Sequence, residues 1–325
     1  MERPQYNPFH DEDQYEMNQI RENRRFVIRN YQPSRNRYNL TIQNDPESQI
    51  IRSEENNEMI DFIERDIRAS SKCRQFFSLS TLIIISQIVI FVLMVKKHGL
   101  ASTGENPLYG PSAIVMIEYG AKQGGYILLK NEKWRLITPI FLHAGVIHLI
   151  SNIYIQYSVG AYLYYMFGPI QWLIIYFISG VYGNILSTIM LTNIVGVGSS
   201  GALMGMLGAW VVFILFTWNK VPPNSRCHRN CQLFTVLFAI TVTMMFSLIS
   251  YVDWAAHVGG LIQGILLGIT LLSQEITHFG CRCCVALPFL AASVVLFVYS
   301  YNFLFTQVHA SRDIMEQYEY QSQNG

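Results

Sequence analysis

Seven stretches of the chain, at roughly 76–95, 146–167, 170–191, 200–218, 232–252, 254–273 and 285–307, are apolar over about twenty residues each and contain no Asp, Glu, Lys or Arg. A helix of about that length crosses the ~30 Å hydrocarbon layer of a bilayer. Lipid offers no partner to a free backbone N–H or C=O, so each stretch is expected to be helical. The fold class that follows is all-α, a polytopic membrane bundle of seven transmembrane helices. Only 14% of the 325 residues are charged, against about a quarter in an ordinary soluble domain, whose surface would need to be more polar, so a membrane protein is the first reading. A net charge of +1 excludes a basic nucleic-acid binder.

Three parts are expected: a polar tail at 1–75, a membrane domain at 76–307 and a short tail at 308–325. The first is rich in Asn, Gln, Glu and Arg and reads as mostly disordered. Within it Met59, Ile63 and Ile67 recur at helical spacing, which predicts a short amphipathic helix leading to the bilayer. The opening Met1-Glu2-Arg3-Pro4 starts no apolar run, so no secretory signal is read there, and the tail is too acidic for a mitochondrial transit peptide. The connection 96–145 contains Trp, Tyr, Pro and Gly and is expected to be structured. Phe167-Gly168-Pro169 is a turn that makes the second and third stretches a hairpin.

Arg65, Arg68, Lys72 and Arg74 precede the first stretch, Lys220, Arg226 and Arg229 follow the fourth, and Arg282 precedes the seventh. Basic flanks favour the cytosol, so the N-terminus is expected inside and the C-terminal tail outside. Lys96 and Lys97 argue the other way, from a long loop that carries less weight. All six cysteines (Cys73, Cys227, Cys231, Cys281, Cys283 and Cys284) then fall on or near the reducing side as free thiols. Cys281, Cys283 and Cys284 abut the seventh stretch and are candidates for palmitoylation, with unmodified thiols as the alternative. Cys227, His228 and Cys231 match no strong zinc spacing.

Tyrosines aside, the stretches hold two titratable side chains, His148 and His257. An ionisable group in lipid is costly and marks a functional site by default. The absence of intramembrane carboxylates and cations disfavours an ion-coupled transporter. Both histidines lie near the start of a stretch that begins outside, and so does Gly198-Ser199-Ser200-Gly201. Each alone reads as a satisfied polar group or a helix cap. Together they suit nucleophilic catalysis, in which a serine needs a neighbouring base and its transition state needs hydrogen-bond donors. His148 and Asn152 are four apart, on one helical face. The backbone N–H of Ser200, at a helix start, lacks an intrahelical partner. Gly201, Gly205 and Gly208, with Gly260, Gly264 and Gly268, recur at spacings that let two helices approach closely.

Trp134-Arg135, the run from His143 through His148 to Asn152, Gly198-Ser199-Ser200-Gly201, and Ala256-His257-Val258-Gly259-Gly260 occur in an order and placement that resemble the rhomboid intramembrane serine proteases. The resemblance covers about 76–307. It implies that Ser200 is the nucleophile, that His257 is the general base, and that there is no third acid. His148, Asn152 and the Ser200 N–H would bind the oxyanion, His143 would be accessory, and Trp134-Arg135 would be structural. It implies no cofactor and no metal. Six core spans plus one after the His-bearing span resemble the eukaryotic secretory-pathway type, which implies a plasma-membrane or secretory endomembrane location. Its substrates would be single-span membrane proteins, cut where the backbone is unwound near the outer end of the helix. Many members have tyrosine four residues after the nucleophile, where this chain has Met204.

Asp253 precedes His257 by four residues and is read as a helix cap in preference to a triad member. A zinc site of His143, His148 and His257 lacks an HExxH pattern and a nearby carboxylate base. The alternatives are a catalytically inactive rhomboid-like protein that binds client helices, and a seven-span receptor.

Overall fold

The structure, a computed structural model, describes residues 79–219, 226–246, 253–276 and 279–324. The polar tail, its expected helix at Met59–Ile67, and Cys73 lie outside the described residues, as does 247–252 at the end of the fifth stretch. Among the described residues there is helix and no strand, with a single isolated bridge between Lys122 and Gly196.

The helices fall where the apolar stretches require. Helix α1 (Leu79–His98) carries Lys96 and Lys97 in its last turn, cations suited to the negative end of a helix. Gly99 then turns out of it at φ +77°. The first loop carries two short helices, α2 (Ala113–Glu118) and α3 (Gly124–Leu128), and two 3-10 turns, Lys133–Leu136 and Thr138–Phe141. It is structured, as its composition predicts.

The second stretch is not one uniform helix. It runs as α4 (Val146–Ile155), a π turn (Gln156–Gly160) and α5 (Ala161–Phe167). A π turn leaves backbone carbonyls short of regular partners, and buried side chains take them. Ser80 Oγ donates to the Gln156 carbonyl at 3.0 Å, and Trp172 Nε1 donates to that of Gly160 at 2.7 Å. The Gln156 side chain accepts from Tyr176 OH at 2.9 Å. Gly168, at φ +85°, makes the hairpin turn, and Pro169 opens α6 (Pro169–Met190).

Helix α7 (Ser200–Phe216) is buried continuously from Gly201 to Trp210. A helix apolar on every side belongs inside, and α7 packs against both α6 and α9 (Trp254–Leu272), which also pack on each other. Helix α8 (Arg226–Phe246) turns Phe234 and Phe238 outward. It starts six residues before the apolar stretch does. Helix α10 (Phe279–Gln307) also starts early, so Cys281, Cys283 and Cys284 lie on its first turns. Gln263 Nε2 donates to Ser293 Oγ at 2.8 Å, and Tyr182 OH lies 3.3 Å from Ser300 Oγ, which fixes α10 against α9 and α6. By length and hydropathy α1, α6, α9 and α10 can each cross a membrane. Helix α7 is shorter, at 17 residues.

The 308–325 tail contains a feature that sequence reasoning missed. Arg312–Asn324 is a helix, α11. It seats Met315 in one apolar cluster with Met116, Ala121 and Tyr126 of the first loop.

Candidate active site

Three helix starts meet at one end of the bundle. Ser200 opens α7 after the segment Gly196–Ser199. That segment is held by paired bonds between Lys122 and Gly196, 2.9 Å each way, and by Gly198 N donating to the Pro139 carbonyl at 2.9 Å. Gly198 has φ +127°, and a Cβ there would lie 2.8 Å from His148 Cε1 and 2.9 Å from Nε2. Both its backbone conformation and its neighbours therefore require glycine.

His257 lies on the first turn of α9. Asp253 Oδ1 accepts from Ala256 N at 3.0 Å, and the Asp253 carbonyl accepts from His257 N at 3.3 Å. The imidazole is buried, with Nε2 2.7 Å from Ser200 Oγ. At that distance a serine hydroxyl can donate to a neutral imidazole nitrogen, the geometry that proton transfer requires. Asp253 serves as the cap. Its other oxygen, Oδ2, accepts from Ser187 Oγ.

His148 approaches from α4. Ala144 N donates to its Nδ1 at 3.4 Å, which leaves Nε2 as the protonated nitrogen. Nε2 and Ser200 Oγ flank the same glycine, Gly198. Asn152 is buried one turn on and spends one amide hydrogen on the His148 carbonyl at 2.9 Å. Its second hydrogen remains available to a ligand.

His143 is fully buried, and neither ring nitrogen has a hydrogen-bond partner among the described residues. Its ring stands edge-on to that of His148, with centroids 5.3 Å apart. Burial, and secondarily the neighbouring His148, push its pKa well below the ordinary range. Met204 is fully buried one turn after Ser200.

The glycines bring α7 and α9 together backbone to backbone. A Cβ at Gly260 would sit 1.9 Å from the Gly201 carbonyl oxygen, and one at Gly264 would sit 2.0 Å from that of Gly205. Gly208 faces the Leu261 carbonyl, and Gly268 faces Ala209. Away from the site, Arg135 is buried. Its Nη1 donates to the carbonyls of Ile117 at 2.6 Å and Ala121 at 3.1 Å, and its Nε donates to Glu132 Oε2 at 2.6 Å. The guanidinium stacks near Trp134 and Tyr126, so this motif holds the loop's own fold. Among the described residues no group of three or more His, Cys, Asp or Glu side chains is arranged as a metal-ligand set.

A family model described as the rhomboid domain matches residues 130–274, a segment that contains every residue of this pocket. The chain belongs to the rhomboid family. It is 38% identical over 181 residues to RHOMBOID-like protein 6, mitochondrial, of Arabidopsis thaliana, covering 56% of this chain and 57% of the relative. It is 30% identical over 202 residues to Rhomboid-like protease 1 of Toxoplasma gondii, covering 62% and 66%. It is also 30% identical over 170 residues to Inactive RHOMBOID-like protein 8 of Arabidopsis thaliana, covering 52% and 47%. The chain thus spans between about half and two thirds of these relatives' lengths. In this rhomboid, Lys122, α10 and α11 lie outside the matched segment. Lys122 was not singled out from sequence, although a lone lysine among Ala121, Gly124 and Gly125 was a usable signal.

Proposed function

We propose that this rhomboid is an intramembrane serine endopeptidase that cleaves single-span membrane proteins in or near their transmembrane helix. The observation that carries the reading is the 2.7 Å approach of Ser200 Oγ to His257 Nε2 inside the bundle. In the proposed reaction His257 takes the Ser200 proton as Oγ attacks the scissile carbonyl, then returns it to the leaving amine. Water hydrolyses the acyl-enzyme with the same base. His148 Nε2–H, the Asn152 amide and the Ser200 N–H face the developing oxyanion, where one donor is worth about 10²–10³ in rate. A helical peptide bond is closed by its own hydrogen bonds, so substrates with Gly or other weak helix formers at the cut are expected.

The basic flanks support a cytosolic N-terminus and a site that opens to the outer or lumenal side, in the plasma membrane or a secretory endomembrane. Cys281 and Cys284 are exposed and Cys283 is half-buried, which suits thioacylation at that helix start. One relative is named inactive, so the alternative is a protein that binds client helices without cutting them. The paired hydroxyl and imidazole favour the enzyme. Purified protein in proteoliposomes should be labelled by a fluorophosphonate probe and should cut a model single-span substrate. Ser200→Ala should abolish both, and cleavage that persists in Ser200→Ala would refute the reading.

A further inference from the structure

We infer that Lys122 is a positioning residue for the Ser200–His257 pair, an inference that rests on the protease reading above. Lys122 lies in the first loop between α2 and α3, and its side chain is wholly buried. A buried ammonium is costly unless several acceptors surround it. Here Nζ donates to Ser187 Oγ at 2.8 Å and to the Leu191 carbonyl at 3.1 Å, at the C-terminal end of α6, and it lies 3.7 Å from Asp253 Oδ2. The end of a helix supplies unpaired carbonyls and a negative dipole, so the cation is placed where the fold can hold it.

This lysine links the two segments that carry the reacting groups without touching either group. Its backbone pairs with Gly196 in both directions, four residues before Ser200. Its ammonium faces the carboxylate of Asp253, whose other oxygen caps α9 and whose carbonyl receives the His257 N–H. Ser187 closes the network by donating to the same Asp253 oxygen that faces Lys122. The stem crosses directly over Gly196. A Cβ there would be 2.8 Å from Lys122 Cε and 2.9 Å from Asp253 Oδ2, so the entry to the serine and the cap of the histidine helix share one junction. Burial lowers the lysine's pKa while Asp253 opposes that shift, as expected of a desolvated cation held by a carboxylate.

The test uses the full chain in proteoliposomes, with Lys122→Met, Asp253→Asn, their double variant, and the milder Ser187→Ala. Three quantities are measured below the unfolding temperature: the rate of fluorophosphonate labelling, kcat and KM on a model substrate, and amide hydrogen exchange over 192–201 and 253–260. A displacement of about 1 Å between reacting groups can cost ~10²-fold. Lys122→Met should therefore slow labelling and kcat by roughly 30–100-fold with KM within about twofold, and should speed exchange in both segments. Groups within one network are not additive, so the double variant should lose no more than the worse single variant. Ser187→Ala should lose roughly 5–10-fold in kcat, and it decides the matter if Lys122→Met does not fold. Labelling and exchange at the parent's values in Lys122→Met, or in Ser187→Ala where the first is unfolded, would overturn the inference, as would losses that multiply in the double variant. A parent that neither labels nor cleaves would defeat the protease reading instead, and the exchange data would still decide whether Lys122 positions both segments.

Discussion

Gly260→Ala is the most exacting test of how this bundle builds its site. The added methyl carbon would lie 1.9 Å from the Gly201 carbonyl oxygen, 2.7 Å from its carbon and 3.2 Å from its Cα. Carbon and oxygen in close backbone contact ordinarily sit about 3.3–3.6 Å apart. Nothing flexible lines the contact, so α7 and α9 must part by more than ~1 Å. Gly201 adjoins Ser200, and Gly260 is about one turn from His257. The separation therefore acts almost directly on the 2.7 Å Ser200–His257 approach and takes it beyond hydrogen-bond range. Misplacement on this scale costs ~10²-fold in rate, and overpacking of this kind costs about 1–3 kcal/mol or more in stability. Fluorophosphonate labelling kinetics and thermal unfolding in detergent measure the two effects. Gly280→Ala is the control, because a Cβ there meets nothing within 4 Å. If Gly260→Ala labelled at the parent's rate with unchanged stability, the inferred backbone contact between α7 and α9 would be wrong.

Other substitutions probe separate parts of the argument. His148→Ala should lower kcat by about 10²–10³-fold with little change in KM, as expected for one lost oxyanion donor, and steady-state cleavage kinetics check it. Arg135→Lys should destabilise the first loop by about 2 kcal/mol, because an ammonium cannot bond two carbonyls and Glu132 while stacking on Trp134, and thermal unfolding should shift down by several degrees. His143 binds its proton more weakly folded than unfolded, so the unfolded chain takes up the extra proton as pH falls through about 6.5. Stability should therefore drop on acidification below that pH, by at most ~1.4 kcal/mol per unit from this residue. In His143→Phe the drop should be shallower, as read from unfolding midpoints between about pH 7 and 5.

The helices and the grouping of Ser200, His257, His148 and Asn152 were legible because lipid leaves a chain few choices. Unpaired backbone forces helices, and the cost of ionisable groups makes two histidines conspicuous among apolar residues. The glycine spacing predicted close helix contact, and the carbonyl oxygens of Gly201 and Gly205 are what it brings near Gly260 and Gly264. Other features were hidden for physical reasons. The π turn at Gln156 depends on Ser80 and Trp172, remote in sequence, which no local periodicity reports. The seating of Lys122 depends on Ser187, Leu191 and Asp253, which are adjacent only after α6 and α9 have packed. Helix α11 was more accessible. Ile314, Met315 and Tyr318 follow Ser311 at helical spacing, and Ser311 Oγ accepts from Ile314 N as a cap. Its polar, charged composition after the last apolar stretch is also that of a solvated tail, and only the packing of Met315 on the first loop distinguishes the two.

The capping of the three helices around the pocket is unequal, and the inequality suits the proposed chemistry. Each helix start carries a partial positive charge and N–H groups without intrahelical partners. On α9 the Asp253 carboxylate meets that charge beside His257, where an imidazolium would form during proton transfer. On α7 and α4 the caps are Ser199 and Gly145, and neither makes a side-chain cap bond. The α7 start, which carries Ser200, thus keeps its positive end beside the point at which a negative oxygen would develop, whereas the first N–H of α4, that of Val146, donates to the Tyr109 carbonyl at 3.1 Å. A carboxylate cap at the base's helix and an α7 start without a side-chain cap separate the two charges in the sense that acyl transfer requires. The Asp253 carboxylate thus serves the base through the helix start that bears it: Oδ1 accepts from Ala256 N at 3.0 Å, and Oδ2 lies 3.7 Å from Lys122 Nζ.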